Sequence, residues 1–325
     1  MEPLTGIHHV SMFTANPREN YEFYTKTMGM RLVKKTVNQD RTSSYHLFYG
    51  DHRGAPGTQV TFFDIPRAAR THRGVSSISK IGLRVSNPRA LEYWRDRLQG
   101  TSAGHLEIAA QMGRDVLDYE DFEGLPIVMV SDEGYAGGAS GTPCDRSVVP
   151  PEFSIRGLGP VTFTVRDADP TLRTLIDVLG FREIGHYASR VTGQPDIRVL
   201  ETGDGGTAAQ VHVEERHDLE QQKLGRGGVH HVAFRVPTNE QYLAWYERVE
   251  AAGLKTTGLI DRYYFRSMYF REPSGIMIEL ATDGPGLTVD ETLETLGENL
   301  VLPPFLEGQR ASIEAKLPPF NTSIS

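Results

Sequence analysis

The chain has 325 residues and a formal net charge of -8, with 38% hydrophobic and 23% charged residues. This is the balance of a soluble globular protein long enough for two ordinary domains or one large one. The acidic excess argues against nucleic acid as a partner. With no apolar run of spanning length and no basic-then-apolar leader, membrane insertion and export are not expected, and a cytoplasmic protein is.

The chain then spells one unit four times: strand, helix, three strands. The first copy occupies about 6–66, with strands at 9–13, 31–37, 45–49 and 58–63 and a helix over 16–29 whose apolar positions include Tyr21, Phe23, Tyr24 and Met28. The second opens with a strand at 78–83 and a helix at 88–98, and ends in strands near 116–122 and 126–130. The third has a strand at 159–163, a helix near 170–179 and a closing strand at 208–213; the fourth spans 229–282. Each helix runs into a glycine (Gly29, Gly100, Gly180, Gly253), the residue suited to a left-handed C-terminal cap. The expected organisation is an N-terminal half over 1–131, a Gly/Ser/Pro-rich linker over 132–153, a C-terminal half over 154–283 and a tail over 284–325. The single cysteine, Cys144, lies in the linker and reads as an ordinary free thiol that fits a reducing compartment.

Two strands begin with the same word, Ile7-His8-His9-Val10 and Val229-His230-His231-Val232, and the last strand holds an acid among apolar residues, Ile276-Met277-Ile278-Glu279-Leu280. Two histidines and a carboxylate form the ligand set of a mononuclear metal site. Neighbours on a strand face opposite ways, so one histidine of each pair projects into a cavity. His230 shares its parity with Val232, Phe234 and Val236, which suits a core, whereas His231 goes with Ala233 and Arg235. His9 similarly goes with Ser11 and Phe13, and His8 with Val10 and Met12. The expected ligands are His9, His231 and Glu279. One ion can join them only if units one and four share a cup. Units two and three then form a second, metal-free and structural cup, whose matching positions fall near Ile81 and at Val161.

Several longer words, Gly6-Ile7-His8-His9-Val10, Arg31-Leu32-Val33-Lys34-Lys35-Thr36, Tyr45-His46-Leu47-Phe48-Tyr49-Gly50-Asp51, Pro56-Gly57-Thr58 and Asp261-Arg262-Tyr263-Tyr264-Phe265-Arg266, are similar to the vicinal oxygen chelate superfamily. That superfamily includes glyoxalases, bleomycin resistance proteins and extradiol dioxygenases. The words resemble its hydroquinone-type ring-cleaving branch over roughly 6–305. The resemblance implies an α+β fold of four βαβββ modules forming two cupped mixed sheets, with ligands at His9, His231 and Glu279. It also implies an arginine at Arg262 and a histidine at His230 near the site.

Aligning the last strands of units one and four sets Phe62 against Glu279, where glyoxalase-type isomerases carry a fourth ligand; Gln59 would come close in a shifted register. Three ligands leave three octahedral positions open, a setting for Fe(II), with Mn(II) compatible. Tyr269 is expected opposite Glu279 as a hydrogen-bond donor, Arg262 as an anchor for a phenolate or a partner of Asp261, and His230 as a proton carrier despite its parity. His46 reads as core, and His72, His105, His186 and His217 as surface. The implied function is an Fe(II)-dependent extradiol-type dioxygenase that opens a hydroquinone-like or catechol-like ring with O2. The alternatives are a metal-dependent isomerase or thiol transferase, and a metal-free aromatic-binding protein. The expected partners are a small aromatic substrate and O2, and a homo-oligomer is compatible with the sequence.

Overall fold

A computed structural model describes residues 2–101, 106–133, 138 and 140–322; His105 lies outside the described residues. The first module consists of β1 (Ile7–Thr14), α1 (Pro17–Glu22), β2 (Arg31–Asn38), β3 (Arg41–Gly50) and β4 (Gln59–Asp64). The second is β5 (Ser77–Val85), α2 (Pro88–Leu98), β6 (Ile108–Gln111), β7 (Arg114–Glu120) and β8 (Pro126–Ser131). The third is β9 (Gly157–Val165), α3 (Ala168–Arg173), β10 (Arg182–Tyr187), β11 (Ile197–Glu201) and β12 (Gln210–Glu215). The fourth is β13 (Gly228–Val236), α4 (Asn239–Ala251), β14 (Ile260–Asp261), β15 (Arg266–Arg271) and β16 (Met277–Thr282). No helix among the described residues is long and apolar enough to cross a membrane.

The helices show how local chemistry sets local form. α2 starts where Asn87 accepts a hydrogen bond from the Ala90 amide and Pro88 occupies the first turn. Its buried face carries Leu91, Trp94 and Leu98, each worth roughly 1.5–3 kcal/mol of burial. The helices expected over 16–29 and 170–179 are not α-helical throughout. Each passes into a π turn, at Phe23–Thr27 and Thr174–Val178. In both, a threonine hydroxyl takes the carbonyl four residues back, Thr25 to Tyr21 at 2.6 Å and Thr174 to Pro170 at 3.0 Å. That contact competes with the α-helical amide for the carbonyl and widens the turn. α2 and α4 contain no threonine and stay α-helical. Gly29 and Gly253 follow the first and fourth helices with φ of 67° and 77°, the left-handed conformation expected of them.

Among the described residues, sixteen strands form two eight-stranded sheets, one of order β14-β15-β16-β13-β1-β4-β3-β2 and one of order β10-β11-β12-β9-β5-β8-β7-β6. Modules one and four therefore share one sheet and modules two and three the other, the pairing that the ligand positions require. β1 runs antiparallel to β13 at the centre of the first sheet, and β5 antiparallel to β9 at the centre of the second. Gly57 ties the sheets together. Its amide donates to the His8 carbonyl at 2.7 Å and its own carbonyl accepts from the Leu158 amide at 2.8 Å. The core lies behind the cups, where Val10, Met12, Val232 and Phe234 are fully buried.

After β16 the tail does two things. Leu287 and Leu296 pack against Val33, Phe48, Ala233 and Phe265 in a second buried cluster beside the first cup. Beyond them the chain runs along β2, the edge of the sheet, where the Val301 amide donates to the Lys35 carbonyl at 3.0 Å. Covering an edge in this way removes a template for unwanted strand pairing.

Candidate metal centre

β1 and β13 do not keep strict alternation, and this builds the site. Pairing steps from Ile7–Phe234 to His9–Ala233, leaving His8 as an extra residue on β1. It steps again from Ser11–His231 to Met12–Val229, leaving His230 as an extra residue on β13. Each extra residue is a β-bulge, which re-aims side chains and relieves them of parity. His230 consequently lines the cup instead of turning to the helix layer, a correction to the parity reading. Its ring stacks on Phe13 with centroids 5.1 Å apart.

The structure brings His9, His231 and Glu279 together, all buried, with one ligand atom from each lying within 4.8 Å of the others. His231 Nε2 is 2.8 Å and His9 Nε2 3.2 Å from Glu279 Oε2, and the two Nε2 atoms are 3.4 Å apart. Neither approach to Oε2 has the geometry of a hydrogen bond, so a fully buried carboxylate oxygen is left without one. The other oxygen accepts from the Ser267 hydroxyl. Burial opposes ionisation of Glu279, but the two imidazoles beside it hold its pKa well below the usual carboxylate range.

The hydrogen bonds around His9 define what the three atoms need. His8 Nε2 lies 3.1 Å from the Thr282 carbonyl, which can only accept, so this nitrogen carries the proton. Burial, and then the His9 ring, lower the His8 pKa to about 3, so His8 is neutral and its Nδ1 accepts. His9 Nδ1 is 2.9 Å away and must donate. In a neutral His9 the Nε2 lone pair then faces a carboxylate, an arrangement that a bound cation satisfies. The second pair repeats the contact, with His230 Nδ1 at 2.8 Å from His231 Nδ1. The residues present thus fit a metal ion.

The matching place on module one is Thr61, not Phe62. Glu279 pairs with Ala233, two residues beyond His231; two residues beyond His9 is Ser11, and its β4 partner is Thr61. Phe62 points away, into the buried aromatic cluster with Tyr24 and Tyr49. The Thr61 hydroxyl bonds Ser11 Oγ at 2.7 Å and His46 Nε2 at 3.0 Å. Gln59 turns to the Gly54 carbonyl at 2.6 Å. Among the described residues, only His9, His231 and Glu279 converge here as donors suited to a metal.

Above them is a cavity of about 340 Å3 walled by Phe13, Phe48, Phe63 and Met277. Tyr269 pairs with Glu279 across β15 and β16 as expected, with its ring edge-on to His231 at 5.5 Å. Burial and the Glu279 charge raise its pKa, so it stays a protonated donor. Arg262 also lines the cavity, 5.5 Å from the Tyr269 ring. Its partner is Asp40 of module one, not the neighbouring Asp261. His46, read as core, lies on the cup wall against Phe48 and Phe63, both at 4.1 Å. Alternation with Tyr45 and Leu47 was the signal that would have placed it there. His72, His186 and His217 are exposed, as expected.

A family profile described as the glyoxalase/bleomycin resistance protein/dioxygenase superfamily matches residues 6–115 and 157–280. The chain is 49% identical to a Bacillus subtilis (strain 168) protein, MhqA, whose name assigns it provisionally to the ring-cleaving dioxygenases, over 97% of this chain and 99% of that one. It is 30% identical to a chlorohydroquinone/hydroquinone 1,2-dioxygenase of Sphingobium indicum, over 94% of each. A crystal structure of a provisionally named Bacillus subtilis dioxygenase superposes with a TM-score of 0.87 at 31% identity, covering 100% of both chains. These similarities place the protein among oxygenase enzymes. With its two cupped sheets of paired modules, the chain belongs to the glyoxalase/bleomycin resistance protein/dioxygenase superfamily.

Proposed function

We propose that the protein is an Fe(II)-dependent extradiol-type dioxygenase that opens a hydroquinone-like ring with O2. The observation that carries this reading is the three-ligand set of His9, His231 and Glu279, with the fourth position taken by the hydrogen-bonded hydroxyl of Thr61. An isomerase that holds its metal with four protein ligands has no fourth donor there. Fe(II) bound by two histidines and one carboxylate supplies a centre with open positions for a phenolic ring and O2 together.

The remaining work falls to the cup. Phe13 and Phe63 offer faces for an aromatic ring, and their apolar surface keeps bulk water from it. Neutral His230, whose pKa is lowered to about 3 by burial and by His231, accepts from His231 Nδ1 and so carries its proton on Nε2, which is placed to donate a hydrogen bond to a ring oxygen. Tyr269, protonated, donates a hydrogen bond to oxygen that gains charge. Arg262 brings a permanent positive charge to the same wall for a phenolate or a newly formed carboxylate. The preference for a hydroquinone is supported by the Sphingobium relative named for that substrate.

Anaerobic reconstitution with Fe(II), then oxygen-electrode assays with hydroquinone, methylhydroquinone and catechol, tests the reading. The expected result is one O2 consumed per ring opened, with both atoms in the product. No substrate-dependent uptake across the panel would refute it. Parallel loading with Mn(II) decides between the two metals that suit this donor set.

A further inference from the structure

The second sheet forms a cup of its own, and its register shows what replaces the metal site. His212 pairs with Thr162, two residues beyond Pro160, as Glu279 pairs with Ala233, two beyond His231. Ile81 pairs with Val161 as Val10 pairs with Val232, so Lys80 stands where His9 does and Pro160 where His231 does. These positions lie one residue before the Ile81 and Val161 expected from the sequence. A proline offers no donor and Lys80 is bound to Asp118 at 2.5 Å, so no metal set remains. The equivalent of the metal-binding carboxylate is nonetheless a buried histidine that lines a cavity of about 390 Å3.

His212 is 4% exposed, and its Nδ1 lies 3.0 Å from the Tyr187 hydroxyl. Its Nε2 is buried without any hydrogen-bond partner. Burial, aided by Lys80, lowers its pKa to about 3, so the ring is neutral. In a residue that lines a cavity, a buried polar atom left unpaired is the signature of a missing partner. Water is one candidate, but the space is far larger: roughly 150 Å3 is enough to admit benzene.

The rest of the lining limits the ligand. Val116, Val130, Pro160, Met112 and Ile184 present an apolar wall, with Met112 and Ile184 partly exposed at the mouth. Met112 reaches across to β10, where its methyl group lies 3.1 Å from the place of a Gly185 side chain, so the two edges of the sheet meet over the cavity. The rim charges are already matched, Arg114 with Asp132 at 3.5 Å and Glu201 with Arg182 at 2.6 Å. Asp204 adds negative charge at the rim, which opposes a carboxylate or phenolate.

We propose that the second cup is a binding site for a small uncharged phenol, anchored by its hydroxyl on His212 Nε2. A hydroxyl suits either tautomer of the ring, because it can donate or accept. The aromatic body fills the apolar wall. This inference stands apart from the reaction proposed for the first cup.

The test uses the Fe(II)-loaded enzyme under anaerobic conditions, with 4-fluorophenol followed by fluorine NMR. A bound resonance assigned to the second cup persists in Glu279→Ala and is lost in Ile184→Trp, which fills the mouth from an exposed position. His212→Phe weakens it at least tenfold, and 4-fluorotoluene, of similar size without the hydroxyl, binds at least tenfold more weakly. A bound signal insensitive to both Ile184→Trp and His212→Phe, or no signal in Glu279→Ala, overturns the proposal. Equal binding of 4-fluorotoluene overturns the role of His212. Enzyme that consumes no O2 but keeps the His212-dependent signal would remove the first cup's reaction alone.

Discussion

Asp40 grips Arg262 through two hydrogen bonds, 3.1 Å to Nη1 and 2.9 Å to Nη2, although the residues belong to the first and fourth modules. Gln39 adds a third link by donating to the Arg262 carbonyl at 2.8 Å. The β2–β3 turn is thereby fastened to the wall of the first cup. Burial disfavours the Arg262 charge, and the hydrogen bonds to the Asp40 carboxylate oppose that effect. Asp40 thus occupies the guanidinium that an anionic ring substituent would use. Because its side chain is 73% exposed, the pair is a weak competitor, worth well under 1 kcal/mol after solvent screening. Asp40→Asn is expected to tighten binding of 4-hydroxybenzoate by roughly 2- to 5-fold and leave that of uncharged phenol unchanged, read from inhibition constants.

Removing the carboxylate from the three-ligand cluster should empty it. Glu279→Ala is expected to lower iron content after desalting by roughly tenfold or more while the thermal melt of the apoprotein is retained. Stoichiometric iron in this variant would reject the ligand assignment.

His8 fixes the tautomer of His9 without touching the place of the metal. His8→Phe keeps the ring packing against Phe265, now 5.3 Å from His8, but removes the acceptor for His9 Nδ1–H. The expected loss is roughly 10- to 100-fold in metal affinity, measured by competition with a chelator, with the far-ultraviolet spectrum unchanged.

Asp121 sets a pH dependence of stability unconnected with the metal. Burial is the main cause that lifts its pKa from 3.8 to about 6, against the opposing hydrogen bonds from Leu125, Glu123 and Tyr24. A raised carboxyl pKa means that the folded state binds the proton more tightly than the unfolded one. The stabilisation is therefore complete below pH 3.8 and is lost as pH rises through about 6. The rise corresponds to roughly 3 kcal/mol. Asp121→Asn keeps the acceptor for the amides of Glu123 and Leu125, so the stability of the wild type relative to this variant should fall by about that amount between pH 4 and 7 in urea titrations. A difference that does not vary with pH would show that folding leaves the Asp121 pKa unshifted.

Much of this molecule can be read from its residues, and the misreadings share one cause. The pairing of modules one and four follows from three ligands that sit far apart in the chain. The choice of His9 and His231 followed from alternation, which holds for both. Alternation failed at His230 because a bulge inserts a residue without any glycine or proline to announce it. It also failed by one residue between Phe62 and Thr61, since a hairpin alignment cannot see the register against a central strand. The π turns at Thr25 and Thr174 were hidden for a similar reason: a hydroxyl chose a carbonyl over solvent, and nothing in the periodicity records that choice.

The order of the sheets gives the chain a nested plan, with the first and last modules enclosing the middle two. The inner sheet is built from a continuous stretch, residues 77–215, and can close before the fourth module exists. The outer sheet cannot, because β1 must wait for β13 and β16 before its histidine meets the other two ligands. Metal capture on a ribosome-bound chain would therefore report that synthesis has passed Glu279. Metal uptake would then signal completion, and a chain truncated within the fourth module should fold an inner half that lacks this cluster.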